Sequence, residues 1–178
     1  MTGFDSTITV VGLANAEFFA SKLFYDSFRQ AFPVPRDNCG LPIPTPPENW
    51  RQYVAFHRKH DGCIEAVAFC NWIRYGDVHI GGGVCVKRNF YRELPREHWE
   101  ECRARGGIGQ ILLETIHREL ADCVALFGYC GDKKARILDT RVGYEPTRHK
   151  YLIVKWMAEI TEARKRELED KIATIGPF

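Results

Sequence analysis

Two glycine-rich stretches carry the chemistry that this sequence can do. Gly106, Gly107 and Gly109 open the run ARGGIGQILLETIHREL, in which Ile108, Ile111, Leu112, Thr115 and Ile116 recur at roughly helical spacing. A glycine turn feeding a helix N-terminus presents unpaired N–H groups and the positive end of the helix dipole, which together suit a diphosphate. The amides of Arg105, Gly106, Gly107, Ile108, Gly109 and Gln110 are the candidate donors. Upstream, Gly81, Gly82 and Gly83 interrupt the β-branched run VHIGGGVCV, which marks a bulge or a close approach to the backbone. Between the two stretches an insert sets Lys87, Arg88, Arg92, Arg96, Arg103 and Arg105 against four glutamates. It reads as a solvated cap whose cations stand beside the phosphate turn.

Titratable residues flank both stretches. His79 and Asp77 begin the central strand and Glu65 lies on its neighbour, so each is a candidate base. Cys130 follows the next strand as a candidate nucleophile. It has no cationic neighbour in sequence, however, and reads more simply as a buried inert thiol. His98 and Cys102 are four residues apart on a helix and make half a metal site; with no second half in the sequence, no metal is expected. The run GGIGQI lacks the Gly-Lys-Ser/Thr of a P-loop, which excludes that class of nucleotide hydrolase.

The elements that must position these residues follow from pattern. Thr7 to Leu13 is a first strand, and Asn15 caps a helix through Phe28 whose aromatic stripe reads as core. Pro33 to Pro47 is stiff and extended, either a surface connection or a wall of an acceptor site. Gln52 to Arg58 and Ile64 to Ile73 alternate around Asp61-Gly62, a hairpin signal, and Tyr75-Gly76-Asp77 turns into the central strand Val78 to Val86. A helix over Glu48 to His57 is the alternative there. A short helix starts at Leu94-Pro95, and the main helix runs to about Leu120. The apolar run Cys123 to Tyr129 is a strand buried on both faces, which completes a β-α-β crossover. Asp132 caps a further helix closed by Gly143. His149 to Trp156 is a last strand. The tail is helical, with Ile160, Leu168, Ile172 and Ile175 on a loose stripe.

With 178 residues the chain fits one domain with a substantial core. Its net charge of +2 is too small to imply nucleic-acid binding by itself. Seven cysteines without a CxxC pair, and no signal peptide at Met1, point to reduced thiols in the cytoplasm. No apolar run is long enough to span a membrane.

The order of these elements, together with two motifs, resembles the GCN5-related N-acetyltransferases (GNAT) over roughly Thr7 to Trp156. The family's coenzyme turn (Arg or Gln, two residues, Gly, any, Gly or Ala) is similar to Ala104-Arg105-Gly106-Gly107-Ile108-Gly109, with Ala104 at the first position. The run Lys134 to Tyr144, KARILDTRVGY, resembles the family's Ala-Arg-x-Leu-Tyr-x-x-x-Gly-Phe helix, with Asp139 where many members carry a proton-donating tyrosine. GGGVCV, GYCGD and HKYLIVKW look like a subgroup among tailed-phage and prophage proteins, which would put the chain in a host cytoplasm.

The resemblance implies an α/β (α+β) fold: a mixed, mostly antiparallel twisted sheet with a central splayed parallel pair and flanking helices. Residues 1–156 would be one acetyltransferase domain and 157–178 a helical extension packed on it. Acetyl-CoA would be the co-substrate, its thioester and pantetheine arm on the backbone of Val84, Cys85 and Val86. His79 or Glu65 would be the base, and Asp139, Tyr129 or Tyr144 the acid. The acceptor would be a primary amine on a small molecule or a macromolecule. Alternatives are an aminated nucleobase in phage DNA and a non-catalytic binding module. A homodimer is compatible with the reading.

Overall fold

The computed structural model describes residues 3–32 and 49–176, so the proline-rich connection at 33–47 lies outside the described residues. The alternating runs form the expected meander. β1 (Ile8–Leu13), β2 (Trp50–Arg58) and β3 (Ile64–Tyr75) pair antiparallel in sequence order. The Asp61-Gly62 turn puts Gly62 at φ +84°, and the Asp61 carboxylate accepts from the Cys63 N–H at 2.9 Å. β4 (Val78–Gly81) folds back on β3 and pairs parallel with β6 (Ala125–Tyr129). Beyond β6 lie β8 (Leu152–Trp156) and the two-residue β7 (Glu145–Pro146), both antiparallel. The eight-stranded sheet runs β1-β2-β3-β4-β6-β8-β7, and β5 (Cys85–Val86) pairs with β3 in the line of β4. The single strand expected from Val78 to Val86 is thus divided at its glycines.

Among the described residues six α-helices cover the sheet: α1 (Glu17–Phe28), α2 (Phe90–Glu93), α3 (Arg96–Ala104), α4 (Ile108–Glu119), α5 (Lys133–Arg141) and α6 (Glu162–Ala173). A parallel pair needs a crossover, and α4 supplies it between the β4–β5 line and β6. Its buried face, from Ile108 to Ile116, packs with Phe4, Phe90 and Cys102 over Tyr53, Cys70, Trp72 and Leu126. The opposite sheet face is shared. α1 covers Val54, Phe69 and Cys85, and α6 covers Val78, Ile80, Phe127 and Val154. The result is three layers, helices on both faces of one mixed sheet.

Sequence signals at the helix ends held to different degrees. The Asp132 side chain caps α5 by accepting from the Lys134 and Ala135 N–H groups. Asn15 accepts from the Glu17 N–H at 2.9 Å, one residue before the cap position of α1. The aromatic stripe on α1 is core only in part, with Phe19 and Phe24 packed against the buried cluster. Ala20 and Leu23 are its buried residues, whereas Phe18 is 85% and Phe28 44% exposed. Ala20 and Leu23 seat that helix on the sheet, and Phe18 and Phe28 line its flank.

The tail helix is seated by Leu168 and Ile172, both buried against the β4–β6–β8 half of the sheet. Arg164 on the same helix donates to Asp77 at 2.9 Å, and Arg148 pairs with Asp170 at 2.5 Å. Truncating Leu168 to alanine should therefore lower unfolding stability by about 2–5 kcal/mol. Exposed Glu167→Ala should change it by less than about 0.5 kcal/mol. Equilibrium urea unfolding of the two variants checks the contrast.

Candidate active site

The site begins where the central strand breaks. Trp72 pairs with Gly81 and Phe69 with Cys85, so Gly82, Gly83 and Val84 stand opposite only Asn71 and Cys70. That is a one-residue bulge. The parallel ladder ends at Gly81↔Gly128, after which β6 stays with β8 through Tyr129↔Leu152. Past this point β5 and β6 are held by different neighbours, and a wedge opens between them. The glycines here allow close approach from both faces: a Cβ on Gly81 would lie 2.7 Å from the Trp72 ring, and one on Gly82 would collide with the Asn71 side-chain oxygen. Val84 and Val86 face α4, while the Cys85 side chain is buried under α1 with its thiol pushed up to about 12 by burial.

The glycine turn ends α3 and starts α4. The Gly107 N–H donates to the Cys102 carbonyl and the Gly106 N–H to the Arg103 carbonyl, each at 2.9 Å, with φ +80° at Gly106 and +95° at Gly107. This pair of bonds is a Schellman closure. It aims the first turn of α4 at the wedge, where a Cβ on Gly109 would meet Leu138 at 3.1 Å and Val84 and Val86 at 3.8 and 3.9 Å. The Ile108 N–H donates to the Tyr91 hydroxyl at 3.2 Å. The Gln110 side chain folds back over Gly106; its Nε2 donates to Glu114 at 2.8 Å, and its buried Oε1 has no partner among the described residues. A polar recess of about 410 Å³ adjoins this turn, where Arg103, Arg105 and Arg141 converge. Arg105 is paired with Asp5. Donors and cations at this turn fit a phosphate-bearing ligand, and the orphaned Gln110 oxygen marks where a donor would be welcome.

At the far end of the wedge Asp139 on α5 is half-buried against the Cys130 thiol. Burial pushes its carboxyl above the usual range, opposed by the Cys130 contact and Arg136. Burial, with Asp139 beside it, pushes the Cys130 thiol up to about 11, which keeps it a thiol at neutral pH. Behind them runs a buried polar chain. Lys155 Nζ donates to the Val142 carbonyl at 2.8 Å and lies 3.1 Å from His117 Nδ1, and His117 Nε2 is 3.2 Å from the Tyr144 hydroxyl. Burial, reinforced by Lys155, lowers His117 to about 3. A charged Lys155 thus faces a neutral imidazole, which assigns the His117 proton to Nε2 and makes Tyr144 the acceptor.

The structure brings some of the sequence-derived candidates together and scatters others. Val84, Val86, Arg105 to Gln110 and Asp139 converge on the wedge. His79 does not. It is 2% exposed on the α4 face, two residues before the ladder ends, with both ring nitrogens unpartnered among the described residues. Burial lowers its pKa. Glu65 sits by the β2–β3 hairpin, bonded to Lys59 at 2.9 Å and Lys87 at 2.8 Å, and those lysines hold its carboxyl below the usual range against the cost of burial. Asp77 is bonded to Arg164, which lowers it likewise. Tyr129 faces α6, on the opposite side of the sheet from Asp139. Tyr144 is engaged by His117. Among the described residues no cluster of three or more His, Cys, Asp or Glu side chains is placed to hold a metal ion. Nor is any helix long and apolar enough to cross a membrane. Sequence reasoning missed Tyr91, Asn71 and Arg141. Of these only Arg141 had a signal, a cation in the last turn of α5.

This architecture is the GNAT fold. The ribosomal-protein-S18-alanine N-acetyltransferase of Escherichia coli superposes on 87% of this chain and 97% of its own, with a TM-score of 0.53 and 14% identity. A GNAT family acetyltransferase from Brucella melitensis in complex with acetyl-CoA covers 86% of this chain and 90% of its own, with a TM-score of 0.50 and 14% identity. YhhK of E. coli, solved bound to coenzyme A, covers 84% and 98%, with a TM-score of 0.50 and 15% identity. No family model and no curated protein matches the chain by sequence.

The Asp139 environment has a measurable sign. A carboxyl whose folded pKa lies above its unfolded value favours the fold while protonated. That contribution is present below the unfolded pKa of about 4 and is lost as pH rises through the folded pKa. Asp139→Asn should therefore raise the melting midpoint at neutral pH, and the gain should vanish as pH falls to about 4. Melting curves of both proteins across that range check it.

Proposed function

We propose that this chain is an acetyl-CoA-dependent N-acetyltransferase acting on a primary amine. The observation that carries the reading is the aim of the α4 N-terminus, set by a positive-φ glycine turn, at a wedge between a bulged strand and its parallel partner. Acetyl-CoA would lay its diphosphate on the Ile108 and Gly109 amides at the first turn of α4, with Arg103 and Arg141 beside it, while the Gly106 and Gly107 N–H groups keep closing α3. Its pantetheine arm would run along Val84 to Val86, where backbone N–H groups can polarise the thioester carbonyl. Tyr91 would give up the Ile108 N–H as the phosphate arrives.

The amine nitrogen would attack the thioester carbon from the α1 side, past Phe28 and Asn71. As the carbon–sulfur bond breaks, Asp139 would supply a proton to the departing sulfur. Burial raises its pKa, which enlarges its protonated share over that of an exposed aspartate, and a carboxylic acid is far stronger than a thiol, so transfer is downhill. The amine's own proton would leave through water, because His79 is enclosed in the core and Glu65 is committed to two lysines. Residues 1–156 would form the catalytic unit, with 157–178 packed on it as an extension.

Acetyl-CoA at about a hundredfold above its dissociation constant should stabilise the chain by roughly 2.7 kcal/mol in thermal unfolding. Coenzyme A release should then depend on an added primary amine. Asp139→Asn should cut kcat about 10²–10⁴-fold with little change in KM, while Tyr144→Phe should leave kcat within about threefold. Absence of acetyl-CoA binding would sink the proposal. Binding without amine-dependent release, across small amines and aminated DNA alike, would instead make the chain a non-catalytic binding module.

A further inference from the structure

One side chain already stands where the coenzyme phosphates would land. The Gln110 and Ile111 N–H groups turn back onto the Gly107 carbonyl at 3.1 and 3.2 Å, so the first turn of α4 offers the Ile108 and Gly109 amides. Ile108 is 0% exposed, and a buried N–H left unbonded is costly. The Tyr91 hydroxyl satisfies it, accepting its hydrogen at 3.2 Å. A Cβ on Gly107 would lie 2.8 Å from the same hydroxyl oxygen, so Tyr91 rests directly on the turn.

α2 is held on either side of Tyr91. Phe90 is 2% exposed in the core and Glu93 is bonded to Lys87, whereas Tyr91 itself is 38% exposed and can swing. Its hydroxyl donates to no acceptor among the described residues. Burial, with Cys102 close by, raises its pKa, so the phenol keeps its proton at neutral pH. A phosphate oxygen that takes the Ile108 N–H must displace the hydroxyl, and the displaced O–H then stands beside that same anion. Two bonds to an anion thus replace one bond between neutral groups. Charge-assisted hydrogen bonds are roughly twice as strong as neutral ones, so the exchange favours the filled site.

We propose that Tyr91 is a coenzyme-holding residue, which caps the Ile108 amide in the empty site and donates to the diphosphate in the filled one. This role rests on the coenzyme reading above and adds a contact from outside the glycine turn. Calorimetric titration with acetyl-CoA and with 3′-dephospho-acetyl-CoA tests it. Tyr91→Phe keeps the ring and should weaken both about fivefold, equivalent to about 1 kcal/mol. In turnover the variant's KM for acetyl-CoA should rise by a similar factor, with kcat and the KM for the amine unchanged. Equal or tighter binding by the variant would overturn the donor role and leave the hydroxyl a cap alone. A loss confined to acetyl-CoA would overturn the assignment to the diphosphate. In the wild-type chain the Tyr91 ring resonances should shift at saturating coenzyme. A ring that stays unmoved would overturn the exchange whether or not the variant folds. A wild-type chain that binds neither donor would instead remove the coenzyme reading itself.

Discussion

The architecture depends on where the parallel ladder between β4 and β6 stops. Both strands have a second neighbour, β3 on one side and β8 on the other, and a bulge shifts the β3 register by one residue while β8 keeps its own. Two strands tied to diverging partners cannot stay paired. Backbone groups released there need other partners, because buried amides and carbonyls left unbonded are costly. The wedge is therefore a built-in demand for a ligand backbone or solvent, and Asp139 and the first turn of α4 are both placed around it.

The floor of the wedge is kept rigid from behind. Gly81 presses on the Trp72 ring, and Trp72 meets His117 edge-on at 6.1 Å. His117 in turn joins Lys155 of β8 to Tyr144 after α5. A lysine and two aromatic polar groups in a core are tolerable only when bonded to one another. This chain of contacts locks α4, β8 and the end of α5 in one arrangement, and it accounts for a tyrosine where an apolar ring would leave His117 Nε2 unpaired. It also sets apart the two acidic candidates on this face. Tyr144 belongs to the scaffold, and Asp139 looks into the wedge.

Local signals made most of the fold legible in the sequence. Alternation around Asp61-Gly62 located the hairpin, the apolar run through Phe127 located the parallel strand, and Asp132 located the start of α5. The glycine turn and Asp139 could be named as candidates because backbone position and helix phase place them beside the wedge. The failures were of another kind. His79 was a candidate because it begins the right strand, but strand alternation turns its ring into the core under α4. Glu65 sits on the right neighbour, yet Lys59 and Lys87, brought in by a turn and by the end of β5, neutralise it. Tyr91 was illegible, because its contact with Ile108 spans a loop and two helix ends. Partners set by tertiary contact leave no trace at fixed spacing.

The glycine turn itself shows how little a motif decides alone. Gly106 and Gly107 would be required even without a ligand, since the Schellman closure of α3 needs a left-handed residue and a tight reversal into α4. Helix economy explains those two positions but says nothing about Gly109, whose neighbours are Val84, Val86 and Leu138. A Cβ there would touch Val84 and Val86 of the bulged strand at 3.8 and 3.9 Å and press on the Leu138 side chain of α5 at 3.1 Å, so α4 meets both elements with no side chain between. The spacing of Gly109 from Gly107 is thus the part of the pattern that reports on the site. It carries weight only because the strand it faces is the one that breaks at Gly82.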